Sequence, residues 1–394
     1  MDGQPVTRAR ISEQYLQYVY GHGHYRPQPA RARALRRQNP WLGKQHPWAE
    51  GRLSAQAPDW GMHLLIALTH SSLSGGAQKT FLHSIQAVLA AGADANQSWR
   101  DPSSGHPLSA LYGAAGKNHQ PLIVELLLQH GANPNDNESL YHSVANLECV
   151  KRLLAAGATT KGTNALARSL DPPHGLAVTR ALLEAGADPA EGPGGGALFW
   201  AIRRRRSLDH VKLLLQHGAG PHAKFHGITT YQAALWMGLP GVAAHLRRIT
   251  NANPLTGRDA FLAACGCADQ YQARLELKRS PDLIRQLPLD LLALLPLQAE
   301  TGNNKAVRLM VKLGWPIAAK GGDWRATALN LAVFRGDAKL TRFLLAHGAS
   351  WQETHGYGSN ARGTLAYASR DQPVKGGDWK GCEQALLESG MPAD

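Results

Sequence analysis

The sequence predicts an all-α solenoid, and three observations carry that prediction. The first is a phrase that keeps returning. It reads Leu127-Leu128-Gln129-His130-Gly131-Ala132, Leu153-Leu154-Ala155-Ala156-Gly157-Ala158, Leu182-Leu183-Glu184-Ala185-Gly186-Ala187, Leu214-Leu215-Gln216-His217-Gly218-Ala219 and Leu344-Leu345-Ala346-His347-Gly348-Ala349, with looser copies ending at Gly92, Gly314 and Gly390. The second is spacing: neighbouring phrase glycines lie 26 to 42 residues apart, except for one gap of 96 residues that holds three units of 32. The third is helical periodicity inside that gap. A phrase recurring at this interval marks one supersecondary unit stacked many times.

Each part of the phrase has a physical role. The leucines close a helix and face the neighbouring unit. The glycine follows the last turn, where the chain enters the left-handed region at a cost of roughly 1–2 kcal/mol to a residue with a Cβ. Alanine then fits where little room remains, and Pro134, Pro189 and Pro316 stop the helix soon after. His130, His217 and His347 are read as caps over the last free carbonyls, not as metal ligands.

The opening of each unit can be placed as well. Thr327-Ala328-Leu329-Asn330-Leu331-Ala332 starts a first helix, Gly336-Asp337 makes a turn, and a second helix runs from Lys339 to His347. With this opening and a period near 33 residues, the chain resembles the ankyrin-repeat family over roughly residues 60 to 390. Weaker echoes are His106-Pro107-Leu108-Ser109-Ala110 and Thr229-Thr230-Tyr231-Gln232-Ala233-Ala234. In the gap, periodicity gives helices over 230–237 and 242–249, over 259–268 and 270–278, and over 289–300 and 304–313. Pro296 is expected to kink or shorten its helix. The expected architecture is about ten helical pairs with short hairpin fingers and little regular sheet, the fingers being trimmed in the 26- and 29-residue units.

Two segments follow: a basic arm or capping segment over 1–59, and a solenoid over 60–394 whose repeats are degenerate around 223–314. The first sixty residues carry nine Lys and Arg against four Asp and Glu. Arg31, Arg33, Arg36 and Arg37 precede Trp41 and Trp48, and residues 11–20 suit one amphipathic helix. This segment is read first as a cap for the first repeat, which solenoids need for solubility. His22 and His24 lack the partners that a metal site requires. No run of 18 apolar residues suggests a membrane span, and no apolar leader suggests secretion. Cys149, Cys265, Cys267 and Cys382 read as idle thiols, and Asn96-Gln97-Ser98 and Asn137-Glu138-Ser139 as chance glycosylation matches.

Catalytic chemistry finds no anchor. Gly75-Gly76-Ala77-Gln78-Lys79-Thr80 imitates a phosphate loop but lacks the glycine before the lysine. Gly192-Pro193-Gly194-Gly195-Gly196 falls between repeats and reads as a loose loop. The expectation is therefore no enzyme, no cofactor and no metal.

Binding is the expected function, with another protein as partner. The resemblance implies that first helices and fingers line a concave face. Trp99, Arg100, Lys224, Phe225, Trp324, Arg325, Trp351 and Tyr357, with His226, His355 and Arg362 beside them, all follow a phrase glycine where no packing rule of the repeat demands them. Trp, Tyr and Arg are the usual anchors of interfaces. The alternative is nucleic-acid binding through Arg31, Arg33, Arg36 and Arg37 together with Arg203, Arg204, Arg205 and Arg206, in keeping with a net charge of +13. Four consecutive arginines on a helix would leave at least two in solvent. A monomer in the bacterial cytoplasm is the expected setting, with a secreted effector as the alternative.

Overall fold

The computed structural model describes residues 37–38, 64–71, 78–101, 105–172, 175–371 and 373–393. Arg31, Arg33, Arg36, His22, His24, Trp41, Trp48, the helix expected over 11–20 and Gly75–Ala77 lie outside them. The chain divides into two compact units, with the boundary between Gly192 and Pro193.

The first unit contains four helical pairs among the described residues. They are α1 (Leu64–His70) with α2 (Gln78–Ala90), α3 (Ala110–Tyr112) with α4 (Pro121–Gln129), α5 (Ser139–His142) with α6 (Leu147–Ala155), and α7 (Ala165–Ser169) with α8 (Leu176–Glu184). Helix α3 continues into a π turn over Gly113–Lys117. One finger is a hairpin, β1 (Ser98–Arg100) against β2 (Pro107–Ser109), with Trp99 opposite Leu108. Adjacent repeats are clamped by asparagines placed four residues after a phrase glycine. The Asn96 amide donates to Gly131 O and accepts from Asn133 N, and Asn135 does the same with Gly157 O and Thr159 N, all at 2.7–3.1 Å. Asn96, although exposed, is thus engaged in an inter-repeat contact.

The second unit contains six pairs among the described residues. They are α9 (Ala197–Arg203) with α10 (Leu208–Gln216), α11 (Thr230–Trp236) with α12 (Pro240–Thr250), α13 (Gly257–Gly266) with α14 (Gln270–Arg279), the split helix α15 (Leu289–Leu292) and α16 (Leu294–Glu300) with α17 (Asn304–Lys312), α18 (Ala328–Phe334) with α19 (Ala338–Ala346), and α20 (Ala361–Asp371) with α21 (Trp379–Glu388). Its hairpin fingers are β3 (Lys224–Phe225) with β4 (Ile228–Thr229), and β5 (Lys320–Gly321) with β6 (Ala326–Thr327). The helix expected over 289–300 breaks at Ala293. Pro296 has no N–H for the Leu292 carbonyl and its ring would collide with that oxygen, so the proline sits in the first turn of a new helix.

The repeated phrase forms the expected cap. Gly348 has φ +93°, and Ala349 N donates back to Leu344 O at 3.0 Å, a bond repeated from Ala132, Ala158, Ala187 and Ala219 to their own leucines. The histidines cap as expected: Nδ1 of His130, His217 and His347 meets the carbonyl four residues back at 2.8–2.9 Å. Thr229 and Thr327 begin α11 and α18 with full capping boxes, completed by Gln232 and Asn330. The paired leucines carry the core: Leu127, Leu153, Leu182, Leu214 and Leu344 are fully buried.

Candidate functional site

The fingers bring aromatic residues to the surface in different ways. Arg100 is exposed, and its guanidinium donates to Gly105 O at 2.8 Å, closing its own finger, while Trp99 is half-buried. Lys224 is exposed. Phe225 is 37% exposed, and its ring lies 6.0 Å from Phe199 of α9 and 4.2 Å from His226.

The largest assembly surrounds the β5–β6 finger. Trp324 sits at its tip, edge-on to Phe334 of α18 at 4.3 Å. The His355 and Tyr357 rings of the next finger lie 6.0 and 6.5 Å from Trp324, and 5.9 Å from each other. Phe334 in turn stacks on Tyr367 of α20 at 6.4 Å, under the Arg370 guanidinium. Backbone ties fix the two fingers together: Gly356 N donates to Trp324 O at 2.6 Å, and Lys320 pairs with Glu353 at 3.7 Å. Tyr357 is 76% exposed, so the assembly ends in an aromatic ring turned to solvent. Arg325 is exposed beside it, with φ +48°. Burial, then the charge of Lys320, pulls the His355 pKa down and favours the neutral ring.

Trp351 takes a different part. It is half-buried, and its carbonyl accepts from Ala361 N at 3.1 Å, fixing the start of α20. The structure brings Trp324 and Tyr357 together, with Arg325 next to Trp324 in the same finger. Trp99 and Arg100 belong to the first unit, and Lys224 and Phe225 to another finger. Phe334 and Tyr367 were not singled out from sequence. Their signal is an aromatic in the last turns of a first helix, which is where that helix meets the finger.

The arginine run behaves otherwise than its linear sequence suggested. The helix ends at Arg203, Arg205 enters the left-handed region at φ +54°, and all four arginines are half-buried. Arg203 and Arg204 lie over the Trp200 ring at 5.1 and 4.5 Å. Both reach Asp323 in the β5–β6 finger, at 2.7 and 3.1 Å, and Arg204 also pairs with Glu300. Arg205 donates to Gly238 O at 3.4 Å, and burial lowers its pKa. Arg206 donates to Arg204 O at 2.9 Å. The expectation that at least two of them stand free in solvent is corrected: because the helix stops, the run folds inward and fastens a finger. Arg37 is exposed.

Among the described residues no group of three His, Cys, Asp or Glu is placed to hold a metal ion, and no helix is long and apolar enough to cross a membrane. All four cysteines are free thiols.

The ankyrin-repeat family model matches residues 108–138. Among solved structures, the crystal structure of the human ASB11 ankyrin repeat domain is similar at 18% identity, covering 73% of this chain and 100% of that one, with a TM-score of 0.24. No curated protein matches the chain. The matched segment holds α3 and α4 with most of β2; helical pairs with the same kind of cap lie on either side of it, and hairpin fingers recur on its C-terminal side. The chain thus carries an ankyrin repeat over residues 108–138, within a series of similar helical pairs.

Proposed function

We propose that this chain is a non-catalytic protein-interaction module that grips its partner with the finger tips and first-helix ends of the second unit. Ankyrin repeats are protein-binding units in general, and the observation that carries the finer reading is the Trp324–His355–Tyr357 assembly. Tyr357 is exposed while the rings beneath it are fixed by backbone hydrogen bonds and by Phe334. A rigid aromatic anchor loses little entropy on binding, which is why such residues dominate interface energetics. Asp323, one residue before Trp324, is held by Arg203 and Arg204, so the finger is ordered before a partner arrives. Lys224, Phe225, Arg325 and Trp351 extend the same mode of contact within the second unit, and Trp99 and Arg100 offer a like contact on the first unit's own finger.

The experiment is affinity capture from a native lysate with and without nuclease, followed by titration of the captured protein against finger variants. Retention after nuclease and loss on Trp324→Ala or Tyr357→Ala support the module reading. Capture that disappears with nuclease contradicts it.

A further inference from the structure

The charge of this protein is distributed unevenly. Residues 193–394 carry 25 Lys and Arg against 15 Asp and Glu, a net +10 of the total +13. Within that unit the excess lies on the second helices. Helices α10, α12, α14, α17, α19 and α21 together hold twelve Lys and Arg and four Asp and Glu. The second helices of the first unit hold four and three. The stacking surface of a repeat does not demand this difference.

Two neighbouring helices concentrate it. Lys305, Arg308 and Lys312 recur at the three- and four-residue steps that share one face of α17, and Lys339 and Arg342 do so on α19. Neither helix contains a carboxylate. Arg308 is already oriented: its guanidinium donates to Lys339 O at 3.0 Å and lies 4.4 Å from the centre of the Phe343 ring. Lys305, Lys312, Lys339 and Arg342 are exposed, and none of them makes an ion pair with a described residue.

We infer that this second-helix face is a docking surface for the phosphate backbone of duplex nucleic acid, read without regard to sequence. Seven residues of helix span about 10 Å, and packed helices lie about 8–10 Å apart, so the five cations occupy a patch roughly 10 Å on each side. A duplex carries one phosphate charge per about 1.7 Å, or about six over that length. The two densities match. On these two helices the single aromatic, Phe343, lies half-buried under Arg308, so nothing is offered for unpaired bases to stack on. No apolar side chain projects from the patch to enter a membrane interface. The patch shares no residue with the finger assembly around Trp324.

The test uses the full chain and a labelled duplex of random sequence, titrated between about 50 and 200 mM salt. Five phosphate contacts give a slope of log K against log salt of about −4 to −5. Substituting Lys305→Gln, Lys312→Gln, Lys339→Gln and Arg342→Gln together is expected to flatten that slope by about 3 to 4 and to weaken binding at least tenfold at the low-salt end. The two pairs, Lys305→Gln with Lys312→Gln and Lys339→Gln with Arg342→Gln, each give about half that slope change, and circular dichroism verifies that they fold. Arg31→Gln, Arg33→Gln and Arg36→Gln together leave the slope within one unit of wild type. Absence of duplex binding at the low-salt end, an unchanged slope in the fourfold variant, or binding to phosphatidylserine vesicles but not to the duplex overturns the inference.

Discussion

Arg204, which caps the end of α9, forms a half-buried ion pair with Glu300 at the end of α16, 96 residues further along the chain. The same guanidinium lies over the Trp200 ring and reaches Asp323, beside Trp324 in the loop of the β5–β6 finger. One side chain thus ties two first helices and a finger into a single surface. The planar guanidinium suits this task because it bridges two carboxylates while its face stacks on an aromatic ring.

Arg204→Ala is expected to destabilise the second unit by about 1–3 kcal/mol, since Glu300 would keep its burial and lose its partner. Urea unfolding followed by circular dichroism measures this. Arg204→Lys should recover only part of the loss, having one point charge and no fork. A change within about 0.5 kcal/mol for the alanine variant would place Arg204 among ordinary surface charges.

Gly348→Val is expected to cost about 1–3 kcal/mol. A Cβ there meets nothing within 4 Å, so the cost is backbone strain at φ +93° and not a clash. Gly348→Asn should cost less, because asparagine enters the left-handed region more readily. Equal melting temperatures for wild type and the valine variant would contradict the cap.

Gly266→Ala tests a different constraint. A Cβ on this residue would stand 2.0 Å from the Trp236 carbonyl oxygen, where α11 and α13 pack most closely. Helix propensity alone would favour alanine by about 1 kcal/mol. Overpacking against backbone is expected to reverse that sign and destabilise by about 1–3 kcal/mol, read from urea midpoints.

The repeat phrase made much of this fold legible. Its glycines, alanines and histidines act locally, through caps that depend on residues within five positions, so a single sequence carries them. The three helical pairs between Gly218 and Gly314, where the phrase is missing, were legible from helical periodicity instead. The fate of Arg203–Arg206 was not legible, because their partners Asp323, Glu300 and Gly238 lie in other repeats and nothing in the run itself announces them. The finger residues were legible as candidates from their position after each glycine. Their grouping was not: Phe334 and Tyr367, which seat Trp324, belong to helices, where an aromatic looks like ordinary core.

Lys117 gives a pH signature. Burial pulls its ammonium down to about 8 from an ordinary value of 10.5. Between those values the unfolded chain holds a proton that the folded chain has shed, so rising pH relieves a penalty that is complete below about 8. Lys117→Met is therefore expected to melt above wild type near pH 7, with the difference closing as pH climbs through that window. A constant difference across the window would contradict the burial account.

The most direct test of the central claim is the affinity of finger variants for the captured protein partner, each first shown by circular dichroism to melt with wild type. Trp324→Ala and Tyr357→Ala are expected to weaken binding by about thirtyfold, the loss of about 2 kcal/mol typical of an interface anchor. Leu344→Ala should act through unfolding instead, since Leu344 is fully buried. Wild-type affinity in Trp324→Ala, Tyr357→Ala, Trp351→Ala and Trp99→Ala alike would contradict the claim that the fingers recognise the partner.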